Sequence, residues 1–204
     1  MMQISRDPGP INELLNAPGV REMHNLPGQD APIDCTILLE SGGFSVVGDG
    51  YGWLFNKVGD RTYETHTAIL PEKRGALTLK KTRECSNHVF LRTDCMETVT
   101  RCPATNIPAI KLTKMMGFTE LYTAKGVFGG VDLIVYSLPL SHWAARAKDF
   151  RKIGRDFLTD TSDELRNQYY GIATAMSAAG NPEKAKHVYS IWATMCEQNH
   201  SGVN

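Results

Sequence analysis

Residues 62–138 constrain the fold most, because strong backbone punctuation falls between their periodic segments. A strand over 61–70 ends at Leu70-Pro71, and Glu72-Lys73-Arg74-Gly75 then opens a helix running to about Arg92. Met, Glu, Thr, Val, Thr and Arg follow one another over 96–101 with the two-residue period of a strand. Asn106-Ile107-Pro108-Ala109 begins a short helix that reaches Met116, and Gly117 stands where helices commonly stop. Residues 121–127 and 131–138 flank Gly129-Gly130 and read as a hairpin.

Upstream, Pro10 suits a first helical position and Pro18-Gly19 a stop, which predicts a helix over 11–16. A further turn is expected over 20–25. Thr36–Glu40 reads as an apolar strand, followed by a turn at Ser41-Gly42-Gly43. Residues 44–47 and 52–55 read as two strands joined through Gly48-Asp49-Gly50. After Pro139 the texture turns helical, with helices expected over 141–157, 162–179 and 182–199. Thr159-Asp160-Thr161 and Gly180-Asn181-Pro182 separate them, and Ser162 is a helix start. The division expected is residues 1–140 as one domain and 141–204 as a C-terminal helical extension. The fold class expected is α/β (α+β): a mixed, mostly antiparallel sheet flanked by helices.

The 204 residues suffice for one core with a small appendage. Charge is balanced at 22 basic and 22 acidic residues, which gives no basic face and argues against a nucleic-acid partner. No apolar run approaches the roughly 18 residues of a membrane span. The first residues lack the basic-then-apolar order of a signal peptide, so a cytoplasmic location is expected. Cysteines at 35, 85, 95, 102 and 196 form no CxxC pair, which suits buried, unreactive thiols in a reducing compartment and no metal site.

The 61–138 segment resembles the cofactor half of the GNAT-type N-acetyltransferases. Pro71, Arg74 and Gly75 match that family's phosphate loop, and Asn106, Ala109, Leu112 and Gly117-Phe118 match its second segment. The resemblance spans roughly 10–140. It looks closest to phage-encoded GNAT-like proteins, through Tyr63-Glu64-Thr65-His66-Thr67 before Leu70-Pro71-Glu72-Lys73-Arg74-Gly75. It implies acetyl-CoA as cofactor, with Arg74, Gly75 and Ala76 at the pyrophosphate, where helix amides form an anion site. The backbone N–H groups of Ile69 and Leu70 would polarise the thioester carbonyl. Asn106 would lie near the pantetheine. Glu64 and His66, on one strand face, would take the proton from an amine that attacks directly. Three positions depart from the pattern: Leu77 and Leu79 replace small residues, and Thr113 replaces a tyrosine acid. Tyr122 is a candidate substitute for that acid.

Each motif also has a plainer reading. Gly75 is equally the start of a helix after a sharp turn, and Asn106 a helix N-cap alone. Glu64 and His66 are equally solvated or cross-strand partners. Cys95, Cys102 and Trp53 read as packing residues, and Trp143 and Trp192 as packing among the tail helices. The remaining histidines show no metal-ligand spacing. Two functions follow. One is an acetyl-CoA-dependent N-acetyltransferase acting on a small amine or a protein amino group, alone or as a homo-oligomer. The other is an inactive GNAT-like phage virion or head-assembly protein whose helical tail contacts phage structural proteins.

Overall fold

The computed structural model describes residues 2–24, 31–147 and 164–200. They fall into two compact units, Met1–Asn87 with Cys95–Pro139, and His88–Asp94 with Leu140–Asn204.

The first unit is built on a seven-stranded sheet: β1 (Gln3–Ser5), β2 (Phe44–Gly48), β3 (Tyr51–Gly59), β4 (Thr62–Ile69), β5 (Glu97–Pro103), β6 (Thr119–Phe128) and β7 (Val131–Pro139). The spatial order is β1-β2-β3-β4-β5-β7-β6. Every pairing is antiparallel except β4–β5. A parallel pair cannot be closed by a tight turn and needs a crossover, which the helix α4 (Ala76–Arg92) provides. Between β2 and β3 a two-residue turn suffices. Asp49 and Gly50 both take positive φ, 48° and 77°, as a twist-matched hairpin turn requires.

Helices α1 (Pro8–Leu15) and α2 (Arg21–His24) lie between β1 and β2 in the chain. Asp7 caps α1 by accepting from the Gly9 N–H at 2.9 Å. Its apolar residues Ile11, Leu14 and Leu15 pack with Leu39, Leu54 and Ala68. Each fully buried side chain of this size contributes roughly 1.5–3 kcal/mol. Among the aromatic side chains, Phe44 stacks on Phe55 at 4.8 Å and meets Tyr63 edge-on at 5.1 Å.

Thr36–Glu40 is a helix, α3, where a strand was expected. Five apolar-rich residues carry too little periodicity to separate the two. The deciding residue is Asp34, whose Oδ1 accepts from both the N–H and the hydroxyl of Thr36, at 2.9 and 2.6 Å. That side chain turns the backbone into helix before a strand can begin. Strand β1 was not expected either. Helix α5 (Ile107–Met116) matches expectation, with the Asn106 side chain accepting from Ala109 N–H and Gly117 left-handed at φ 92°.

The second unit gathers residues 88–94 at the end of α4 with α6 (Leu140–Arg146), α7 (Glu164–Ala178) and α8 (Pro182–His200). Trp143 stacks on Phe90 at 5.0 Å, and Tyr170 meets Trp192 edge-on at 5.0 Å. Lys184 Nζ, buried, donates to Phe90 O at 2.7 Å, and Asn181 Nδ2 donates to Thr93 O at 2.9 Å. Together they satisfy carbonyls that the end of α4 leaves without helical partners. The break expected at 159–161 and the helix start at Ser162 lie outside the described residues. Among the described residues no helix is long and apolar enough to cross a membrane.

Gly43 joins α3 to β2 at a point where main chains converge. A Cβ there would sit 2.6 Å from Leu38 O and 2.7 Å from Phe55 O. Neither atom is on a side chain that can swing away. Gly43→Ala is expected to lower stability by roughly 1–3 kcal/mol, read as a lower urea midpoint with an unchanged m value.

Candidate functional site

Strands β4 and β5 pair over only three steps, Thr62↔Glu97, Tyr63↔Thr98 and Glu64↔Val99. Both continue beyond, to Ile69 and Pro103, without pairing to each other. They diverge into a wedge that opens a cleft of about 380 Å³. Thr100 Oγ1 donates to Thr65 O at 3.0 Å where the divergence begins.

Past that point the carbonyls of β4 that face the wedge take donors from elsewhere. His24 Nε2 bonds Thr67 O at 3.0 Å, and Arg74 Nε bonds Ile69 O at 3.1 Å. Along a strand the N–H and C=O of one residue point to the same side, and alternate residues to opposite sides. The N–H groups of Thr67 and Ile69 therefore face the wedge too. Leu70 does not share this position: its N–H is donated to Gly50 O at 3.0 Å. The expected pair of carbonyl-polarising donors is thus reduced to Ile69, because Leu70 is one step out of phase.

At the rim, Arg74 also donates through its guanidinium to Gly19 O, which pins the loop after β4 to the α1–α2 connection. Gly75 takes φ 125°, a left-handed value that a side chain strains to adopt. It and Thr78 bond reciprocally, Gly75 N–H to Thr78 Oγ1 at 3.2 Å and Thr78 N–H to Gly75 O at 3.0 Å. The first amides of α4, at Ala76 and Leu77, have no helical carbonyl to reach. Leu77 points outward at 59% exposure, whereas Leu79 lines the cleft. The opposite wall is α5, with Asn106, Ala109, Leu112 and Thr113. Thr113 Oγ1 lies 3.5 Å from Cys102 Sγ. Tyr122 is 59% exposed and is not among the lining residues.

His66 lines the cleft, and Glu64 lies below it at 5% exposure. Glu64 Oε2 accepts from Arg101 at 3.0 Å, and its Oε1 is 3.9 Å from His66 Nε2. Burial lowers the His66 pKa, with Arg101 adding to that effect and Glu64 opposing it. His24 is lowered as well, chiefly by burial, against a raising contribution from its bond to Thr67 O. Both rings therefore favour the neutral state, with a nitrogen lone pair available. Burial raises the Cys102 thiol, which disfavours a thiolate there. Among the described residues no group of three or more His, Cys, Asp or Glu side chains is placed to hold a metal ion.

No family model and no curated protein sequence matches this chain. Solved structures do. A mutant of the spermidine N-acetyltransferase SpeG from Vibrio cholerae superposes with a TM-score of 0.55 at 14% identity, over 72% of this chain and 99% of that one. The same enzyme in complex with CoA and spermine gives 0.53 at 15%, over 70% and 97%. A putative acetyltransferase from Salmonella typhimurium with its cofactor acetyl-CoA gives 0.52 at 19%, over 68% and 94%. The fold is the GNAT fold. The likeness extends over nearly the whole length of each neighbour.

Of the residues singled out in the sequence, His66, Ile69, Arg74, Gly75 and Asn106 converge on the cleft. Glu64 sits beneath it, and Ala76 contributes its position at the helix start. Sequence reading missed His24 and Arg101. Arg101 had a signal, since it lies two residues past Val99, the partner of Glu64, and so occupies the position across from His66. His24 had none, because its approach depends on how the N-terminal helices pack.

Both imidazoles are held neutral in the folded state, so between their lowered values and about 6.5 the unfolded chain binds more protons. Their contribution is therefore complete above about pH 6.5 and is lost as pH falls below it. Thermal unfolding followed from pH 7.5 to 5 is expected to show this decline. His24→Gln combined with His66→Gln is expected to flatten it. The lowered carboxyls of Asp49 and Asp132 act only below about pH 4.

Proposed function

We propose that this chain is a member of the GNAT family, an acetyl-CoA-dependent N-acetyltransferase that transfers acetyl to an amine by direct attack. The observation that carries the proposal is the β4–β5 wedge: inward-facing amides along one wall, the first amides of α4 at its rim and a neutral imidazole inside. The buried Thr65 Oγ1 has no hydrogen-bond partner, although Thr65 lines the cleft. A buried hydroxyl left this way costs roughly 1–3 kcal/mol, which an elongated polar ligand would relieve. These residues fit acetyl-CoA. In this reading residues 1–140 form the acyltransferase domain and 141–204 a helical extension.

When bound, acetyl-CoA supplies an activated thioester, and transfer makes one C–N bond, breaks one C–S bond and releases the thiol. The chain's own part is positional and electrostatic. The N–H groups of Thr67 and Ile69 face the wedge as an unpaired strand edge and would hold an extended amide chain. Ile69 N–H is the donor available to a developing oxyanion. The amides of Ala76 and Leu77, with the positive end of the α4 dipole, would hold a diphosphate. His66, neutral in the folded state, accepts the proton that the attacking amine loses; general-base catalysis of this kind contributes about 10²–10⁴-fold. The raised pKa of Cys102 fits direct attack, since its thiol is not set up as a nucleophile. The scaffold reading rests on Leu77, Leu79 and Thr113 departing from the family pattern and on the helical tail; Leu77 points away from the wedge, while Leu79 lines it. A spermidine N-acetyltransferase from V. cholerae was solved as a dodecamer, and self-association of this chain would be tested by light scattering.

Calorimetry with acetyl-CoA tests the reading, saturable binding being the expected result and absence of heat at high ligand concentration its refutation. Ala76→Pro deletes one rim amide at a position where proline suits a helix. It is expected to weaken binding by about 10–100-fold, the loss of one hydrogen bond to a charged group. His66→Gln is expected to leave acetyl-CoA affinity within about threefold while lowering kcat/KM by about 10²-fold or more.

A further inference from the structure

The chemistry of the cleft wall bears on the acceptor. The lining residues include Arg74, Arg101, His24 and His66 and, among the described residues, no aspartate or glutamate. Glu64, beneath the cleft, is buried and already joined to Arg101. A polyamine is recognised by carboxylates, and this wall offers it two guanidinium charges instead.

The two arginines differ in what they have left to give. Arg74 is turned onto the carbonyls of Ile69 and Gly19, and it contributes field more than donors. Arg101 keeps 48% of its side chain exposed and holds Glu64 through one terminal nitrogen. A guanidinium carries five N–H groups in a planar fork that matches a carboxylate. Arg101 stands across the wedge from His66, two residues beyond the last paired residues, Glu64 and Val99.

Resting on the acetyl-transfer reading above, we infer that the acceptor is a free α-amino acid, its carboxylate on Arg101 and its amine beside His66. Attack by the freed amine then follows the balance already given: N–C bond made, C–S bond broken, thiol released.

The test uses the full chain, acetyl-CoA and thiol release as the readout. Leucine and methionine are compared with the amines that lack their carboxylates, 3-methylbutylamine and 3-(methylthio)propylamine, and with spermidine. The amino acids are expected to show kcat/KM at least tenfold above their decarboxylated counterparts and above spermidine. Arg101→Lys keeps a positive charge against Glu64 but loses the fork. It is expected to raise KM for the amino acids at least fivefold, with kcat within about twofold, and to change kcat/KM for the simple amines by a smaller factor. A role in holding the fold alone would move all substrates together. Equal or better turnover of spermidine or the decarboxylated amines overturns the amino-acid assignment and leaves acetyl transfer standing. Failure of acetyl-CoA to bind in calorimetry overturns the transfer reading beneath it.

Discussion

Two adjacent parallel strands that stop pairing leave a row of backbone donors and acceptors inside a protein, and such groups are costly without partners. The first unit is organised around that constraint. Thr100, His24 and Arg74 each send a side chain to one carbonyl of β4, at Thr65, Thr67 and Ile69 in turn. These donors come from β5, from an N-terminal helix and from the loop after β4, so three separate parts of the chain converge on one strand edge. The carbonyls are thereby satisfied while the inward N–H groups remain open. A gap is stable in this form because only half of its hydrogen-bonding capacity is left for a ligand.

The same logic governs charge. Glu64 is buried because Arg101 meets it, and an isolated carboxylate in that place would be strongly disfavoured. Arg101 thereby places a positive group at the wall of the cleft. His66 is kept neutral by its burial and by Arg101, against the opposing effect of Glu64. Removing either partner of the pair would alter the imidazole's protonation as well as the fold, so these three side chains behave as one electrostatic unit.

Much of this was legible in the residues. The order strand, Pro71, Arg74-Gly75, helix, strand, Asn106-capped helix and hairpin is written in punctuation that acts locally: proline fixes φ, glycine permits positive φ, and asparagine caps. Those signals need no tertiary context. α3 was misread because its five residues carry no period and its decisive contact is the Asp34 side chain just upstream. The exclusion of Leu70 from the wedge depends on strand phase, a matter of register against Gly50. His24 was invisible because it acts on a carbonyl 43 residues away, a separation that no local pattern records.

The bond from His24 to Thr67 O carries a consequence for how the gene can be cut. The donor that quiets this central carbonyl is spent from the chain's first two dozen residues, and β1 is the sheet's outer strand on the same end. A truncated product lacking that arm would retain β2 through β7 and yet lose a wall of its own crevice. The leading segment is thus working machinery.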